Sequence, residues 1–317
     1  MKKILHTFLL LMLVVQVQGQ NVYRFTNYNF LKNLYNPAAL GSDASITADL
    51  VYGGQWYGIE GAPQTMAANA SYDITDDMAI GLTFNTDKVG LYQNNSFSAQ
   101  YAYRIMFDDR KYLAFGLGLG ADQVSWNLAE ASTTQANDPV FAGSTTKFIF
   151  QGSFGAYYRT ERFYAGLSLP QLFNTNFSYS EKGIRIDRWA IYSLIGYYYE
   201  VSDRFLFNPS AQIKMMRNAP VQFDAQLRAV FSPVGISAGY RSDNTIIAGL
   251  DCILFNRIRV GYMGGYNLGR LSSVKGFSHE VSLGMGLPYY FNKKNQRIIN
   301  KKGGFSRNFR KRAGRRH

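Results

Sequence analysis

The sequence predicts an all-β chain closed into a transmembrane outer-membrane β-barrel of about 14 antiparallel strands, with an N-terminal plug or hatch segment and a basic C-terminal tail. Three observations predict it. Apolar and polar residues alternate with a period of two in segment after segment, the connections are short on one side and longer on the other, and an export signal precedes a neutral, aromatic-rich body.

The export signal comes first in the chain. Lys2 and Lys3 precede an unbroken apolar run over Phe8 to Val15, and Val17-Gln18-Gly19 suits a signal peptidase, so residues 1–19 read as a signal peptide cleaved before Gln20. The run is too short for an uncleaved spanning helix, which needs roughly 20 apolar residues. Nothing later in the chain reaches that length, so the expectation is a multi-pass outer-membrane barrel. Cys252 is the single cysteine, which excludes an internal disulfide.

Composition separates body from tail. Gly 30, Tyr 23 and Phe 23 against 17% charged residues suit closely spaced strands with aromatic girdles. The net charge of +13 is local, because eleven Lys and Arg lie in 293–317, which has no acidic residue, and two more lie in the signal. The expected divisions are a leader over 20–44, a barrel over 45–290 and a basic periplasmic tail over 291–317.

Leader residues Phe25, Phe30, Leu31, Leu34 and Tyr35 are too apolar to stay in water, so the leader is expected to tuck into the barrel mouth. Strand segments follow at about 45–54, 64–73, 78–86, 95–105, 112–121, 147–158, 162–169, 187–199, 204–216, 220–231, 234–241, 244–253, 257–266 and 277–287. Their number is even, as single-chain outer-membrane barrels require. With the N-terminus periplasmic, ITDD, MFDDRK, TER, VSDR, SP and LFN are the short turns. The opposite side carries QWYGIEGAP, DKVGLYQN, Gln123 to Thr146, Pro170 to Ile186 and LGRLSSVKGF, while the connections near Asn218 and Asp243 are short there too.

One face of these strands is nearly free of charge; the other carries Asp49, Asp73, Arg104, Asp224, Arg228 and Glu280 among others, of both signs. A soluble β-sandwich has the same period, but the signal, the even count and tyrosines near strand ends, such as Tyr101, Tyr262 and Tyr266, point the apolar face at lipid. Mixed signs inside predict salt-bridged filling, not an open single-sign pore.

Little in the chain suits catalysis. His6 belongs to the signal, His317 is terminal, and Ser278-His279-Glu280 cannot be a triad because strand neighbours point to opposite faces. No metal site, cofactor or enzyme activity is expected. Phe115 to Gly120, FGLGLG, has no helix after it; its glycines read as close strand packing on the inner face. The tail residues Arg307, Arg310, Lys311, Arg312, Arg315 and Arg316 could suit nucleic acid, but a periplasmic location points instead to lipid head groups, an acidic partner or plain solvation.

YNPAALGS at Tyr35 to Ser42, QWYGIEGAPQT at Gln55 to Thr65, and AIGLTFNTDKVGLYQNNSFSAQYAYRI at Ala79 to Ile105 resemble the PorP/SprF family of the type IX secretion system. The resemblance implies a non-enzymatic outer-membrane barrel that works with the type IX machinery and helps secreted proteins, gliding adhesins among them, reach or stay on the cell surface. Matching positions are Asn36, Pro37 and Ala38 in the leader, and Gln55, Trp56, Gly58, Gly61, Ala62, Pro63 and Thr65 in the first outer connection. The basic tail lies outside the family's core pattern.

On this reading the connection of Gln55, Trp56, Tyr57, Gly58, Ile59, Glu60, Gly61, Ala62 and Pro63 is a partner-binding loop. Its glycines permit unusual backbone, Pro63 fixes the entry to the next strand, and Trp56, Tyr57 and Ile59 are apolar anchors. It either docks a secreted protein's C-terminal domain or a type IX component, or folds inward as a lid. The NPA tripeptide and the strand count also resemble FadL-type transporters of hydrophobic compounds, the competing function, with a generic porin behind it.

Overall fold

The computed structural model describes residues 25–108, 111–127, 144–178, 181–185, 190–202, 205–216, 219–255, 257–269 and 276–287. The expected signal peptide over 1–19 and the basic tail lie outside the described residues.

Sixteen strand segments form one antiparallel sheet. They are β1 (Ile46–Gly54), β2 (Gln64–Asp73), β3 (Met78–Val89), β4 (Tyr92–Asp108), β5 (Lys111–Asn127), β6 (Ser144–Arg159), β7 (Phe163–Ser178) and β8 (Glu181–Arg185). Then follow β9 (Ala190–Tyr197), β10 (Tyr199–Ser202), β11 (Phe205–Met216), β12 (Gln222–Phe231), β13 (Val234–Arg241), β14 (Thr245–Leu254), β15 (Ile258–Asn267) and β16 (Phe277–Leu287). Strands β9 and β10 both pair with β11 and are one stave interrupted at Tyr198, while β8 is the return arm of a hairpin that prolongs β7. β7 pairs with β9 and β16 pairs with β1, so the sheet closes as a barrel of fourteen staves with no free edge.

Burial is inverted relative to a water-soluble protein. Along β2, Thr65, Ala67, Asn69, Ser71 and Asp73 are buried while Met66 and Tyr72 are exposed. On β5, Leu117 and Leu119 are 58% and 68% exposed. The exposed large side chains form a continuous apolar belt, which only a lipid environment accommodates. Leu119→Arg is therefore expected to cost roughly 2–4 kcal/mol if it lies near the bilayer midplane. Folding titrations into phospholipid vesicles would show it as a lowered denaturant midpoint.

Inside, the polar set pairs. Arg104 reaches Asp73 at 2.5 Å, Arg241 reaches Asp224 at 2.9 Å, Arg259 reaches Asp49 at 3.3 Å, and Arg228 grips Asp251 with two nitrogens. These pairs lie on the wall of β11–β16, β1, β2 and β4; the wall of β2–β6 is otherwise dominated by amides and hydroxyls such as Asn69, Thr83, Asn85, Ser98, Gln100 and Gln151.

Several outer connections are shorter than the alternation suggests. DKVGLYQN is not a long loop: β3 runs to Val89, Gly90 turns at φ +56°, and β4 starts at Tyr92. β5 likewise continues to Asn127 and β7 to Ser178. The physical reason is that these extensions carry polar residues on both faces, as in Gln93-Asn94-Asn95-Ser96, so hydrophobic periodicity ends before the ladder does.

Candidate functional site

The leader lies inside the barrel. It starts at the outer end, where the Thr26 and Asn27 backbone N–H groups donate to the Glu280 carboxylate at 2.6 and 3.0 Å, and Gln226 donates to the Thr26 carbonyl. It then descends through a single helical turn, α1 (Lys32–Tyr35), and a 3-10 turn over Pro37–Ala39, to reach the start of β1 at the opposite end. Phe25, Tyr28, Phe30, Leu31, Leu34 and Tyr35 are all buried. Phe30 stacks under the Arg259 guanidinium at 3.5 Å, with Arg228 at 5.8 Å, so the wall's cations meet the leader's rings.

The sequence 36–38 sits against a wall built for it. Asn36 caps the 3-10 turn by accepting from the Ala38 N–H at 2.9 Å, and its amide nitrogen donates to the Ala156 and Leu167 carbonyls at 3.0 and 3.4 Å. A Cβ at Gly116 would overlap the Pro37–Ala38 backbone, and one at Gly155 would overlap the Asn36 amide. Close strand packing is thus the wrong account of the glycine at 116: its missing side chain is occupied by the leader. Lower down, Arg104 joins the Leu40 carbonyl at 2.7 Å to Asp73; level with Gly155, its ladder partner Ser168 donates its hydroxyl to the Tyr35 carbonyl at 2.6 Å. None of these wall contacts carries a sequence motif; the only available signal was inward register.

The leader also carries its own charge. Burial alone would lower the Lys32 ammonium's pKa, but Asp43 at 2.9 Å and the phenols of Tyr198, Tyr157 and Tyr164 raise it above the usual lysine value. Burial likewise pushes the Tyr28 and Tyr35 phenols up. For all three the folded value exceeds the unfolded one, so their contribution is complete below about pH 10 and erodes as pH rises through the unfolded and then the folded values. Protease access to the leader is expected to rise above about pH 10. Phenolate absorbance should appear with that release.

Above the leader is the first outer connection. The Gln55 N–H donates to the Pro63 carbonyl at 2.9 Å, closing the loop at its base, and the Ile59 and Ala62 N–H groups donate to the Trp56 and Ile59 carbonyls. The loop is tied outward at two more points: Tyr57 N–H to the Phe277 carbonyl at 3.2 Å, and Gly90 N–H to the Gly61 carbonyl at 2.9 Å. Gly58 and Gly61 adopt φ of +88° and +71°, and Trp56 is held at +51°, a conformation a bulky residue resists.

That geometry divides the loop's side chains. Trp56 is half-buried and, with Gln55, lines a polar cavity of about 80 Å³ over Phe25 and Thr26, walled by Arg241 and Glu280. Tyr57 is 74% exposed, its ring edge-on to His279 at 5.2 Å. Glu60 and Gly61 are exposed, and Ile59, Ala62 and Pro63 are half-buried. The leader motif lies far below the loop, and the tail's arginines lie outside the described residues.

Comparison with known proteins then decides the relationship. A family model described as "Type IX secretion system membrane protein PorP/SprF" matches residues 17–285. The chain belongs to the PorP/SprF family. This PorP/SprF protein is thus an outer-membrane-type barrel, with type IX secretion as its setting. Among solved structures, the Acinetobacter baumannii outer membrane protein Omp33 is 5% identical with a TM-score of 0.47, covering 78% of this chain and 100% of that one. A Pseudomonas aeruginosa FadL homologue is 12% identical with a TM-score of 0.45, covering 78% and 91%. A TodX monoaromatic hydrocarbon channel variant is 10% identical with a TM-score of 0.45, covering 83% and 94%. No curated protein matches. None of the structural likenesses bears on what this PorP/SprF barrel carries or binds.

Proposed function

We propose that the protein is a non-enzymatic outer-membrane receptor that holds a type IX-secreted polypeptide, such as a surface adhesin, at the cell surface through its outer mouth. The observation that carries this is Tyr57: an exposed aromatic on a loop fixed at three backbone points, so that docking costs little ordering. Trp56 has the complementary role of a lid over the leader's first residues.

In this reading residues 1–19 are removed on export, the leader is a plug that turns the mouth into a floor, and the basic tail meets periplasmic lipid head groups or an acidic type IX component. The rival reading, transport of a hydrophobic compound, calls for a large apolar pocket. The cavity beneath Trp56, about 80 Å³, sets Arg241, Glu280 and Gln222 beside Phe25 and Met263, and is too small and too polar for that role.

The test is retention of secreted proteins by cells carrying Tyr57→Ser. Surface-bound cargo is expected to fall about tenfold, the loss typical of one aromatic anchor, with barrel levels unchanged. Undiminished retention with Tyr57→Ser, together with uptake of a labelled hydrophobic compound, would favour transport.

A further inference from the structure

The leader descends the barrel rung by rung, and its direction decides where the chain before it goes. A Cβ on Gly53 would sit 3.8 Å from the Phe25 ring, so Phe25 is level with the outer end of β1. Thr26 and Asn27 donate to Glu280, the ladder partner of Gly53, and the Asn27 amide reaches Ser282, the partner of Val51. Phe30 lies under Arg259, which stands opposite Gly284, itself the partner of Asp49. From Phe25 to Phe30 the leader thus drops past Gly53, Val51 and Asp49. β1 starts at the periplasmic end, but the chain does not.

A return downward is closed to the preceding residues. With the signal removed before Gln20, residues 20–24 precede Phe25. Fully extended they reach at most roughly 18 Å. Gly53 stands seven residues above Ile46, the foot of β1, which is about 23 Å along a strand. The lumen on that path is filled by Tyr28, Phe30, Leu31 and Leu34, all buried.

Upward, one rung remains. β1 ends at Gly54, and there lies the cavity of about 80 Å³ that Phe25 and Thr26 floor and Trp56 covers. Such a volume seats on the order of six water-sized groups, enough for the main chain of the residue that passes there. The walls suit a passing backbone, because Gln55, Gln222 and Ser278 bring donors and acceptors to it. They also suit Arg24, the residue before Phe25. Glu280 and Asp243 face the cavity and neither is in an ion pair among the described residues, while Arg241 is held by Asp224 at 2.9 Å. A guanidinium entering from the leader offsets that surplus of carboxylate.

We propose that residues 20–24 leave the barrel through the cavity beneath Trp56, so that the mature N-terminus lies outside the membrane, at the mouth beside Tyr57. The N-terminal segment is then part of the surface an extracellular partner meets. This goes beyond the docking reading and does not depend on it.

Cysteine labelling tests it, in a Cys252→Ser background so that a single thiol reports. Val22→Cys is expected to react with a membrane-impermeant maleimide in intact cells, as fully as Glu60→Cys in the first outer connection. Arg162→Cys, in the turn between β6 and β7, should react only after the outer membrane is permeabilised, and with Glu60→Cys it reads the orientation of the barrel. A peptide epitope inserted between Asn21 and Val22 should bind antibody on intact cells, since an antibody cannot enter the lumen. Heat-modifiable gel mobility verifies that each variant is folded. Reaction of Val22→Cys only after permeabilisation would place the N-terminus in the periplasm, and reaction only in denaturant would leave it inside the barrel. Either result overturns the assignment, as does an epitope that stays silent on intact cells. No secreted protein enters these readouts, so their failure and the failure of docking at Tyr57 are read separately.

Discussion

Gly116→Leu is expected to unseat the leader and open the barrel. The Cβ alone would overlap the backbone of Pro37 and Ala38, and backbone held by Asn36's bonds to two wall carbonyls cannot step aside as a flexible side chain does. Overpacking of this kind costs about 1–3 kcal/mol at ordinary core sites, and the loss grows if the buried aromatic residues of the leader are released with it. The staves are not expected to fail, since their ladders do not depend on the leader. In planar bilayers the variant should show a conductance several times that of the parent, and its leader should become sensitive to protease. Its chain neighbour Leu117 points outward, so Leu117→Ile should produce neither effect.

Arg104→Ala is expected to give the largest loss of stability from one wall side chain. Arg104 donates to Asp73, to the Leu40 carbonyl and to the Asp76 carbonyl, so its removal strands a buried carboxylate and unties the leader from β4. Breaking a buried pair on one side typically costs about 3–5 kcal/mol. Adding Asp73→Asn to the same chain should recover most of that loss, because the uncompensated charge is then gone. Urea unfolding of the single and double variants in detergent would measure both steps. Equal loss in the two would mean that Arg104 matters for packing and not for charge.

The staves were legible in the sequence because lipid on one side and a polar interior on the other enforce the strictest alternation a strand can carry. β1, β2, β13 and β16 begin and end within a residue or so of where alternation places them. β4, β5 and β7 overrun because, beyond the bilayer, nothing requires one face to be apolar. The leader's hydrophobic content announced burial, but its seat could not be read: Gly116, Gly155, Ser168 and Glu280 are scattered along the sequence, each meeting a different part of the leader only in the formed barrel. In the outer loop the residue types were visible and the division of labour was not. Trp56 and Tyr57 are adjacent in sequence, yet the left-handed turn at Trp56 sends one toward the lumen and leaves the other in the open.

The central claim is that the outer mouth, with Tyr57 at its rim, receives a secreted polypeptide. The most direct measurement places a photo-crosslinking amino acid at position 57 in cells with an intact type IX system and identifies the adducts by mass spectrometry. The account predicts a covalent adduct with a secreted surface protein, lost when secretion is blocked. Adducts confined to lipid or to the barrel itself, in cells whose surface carries its normal complement of secreted proteins, would contradict it.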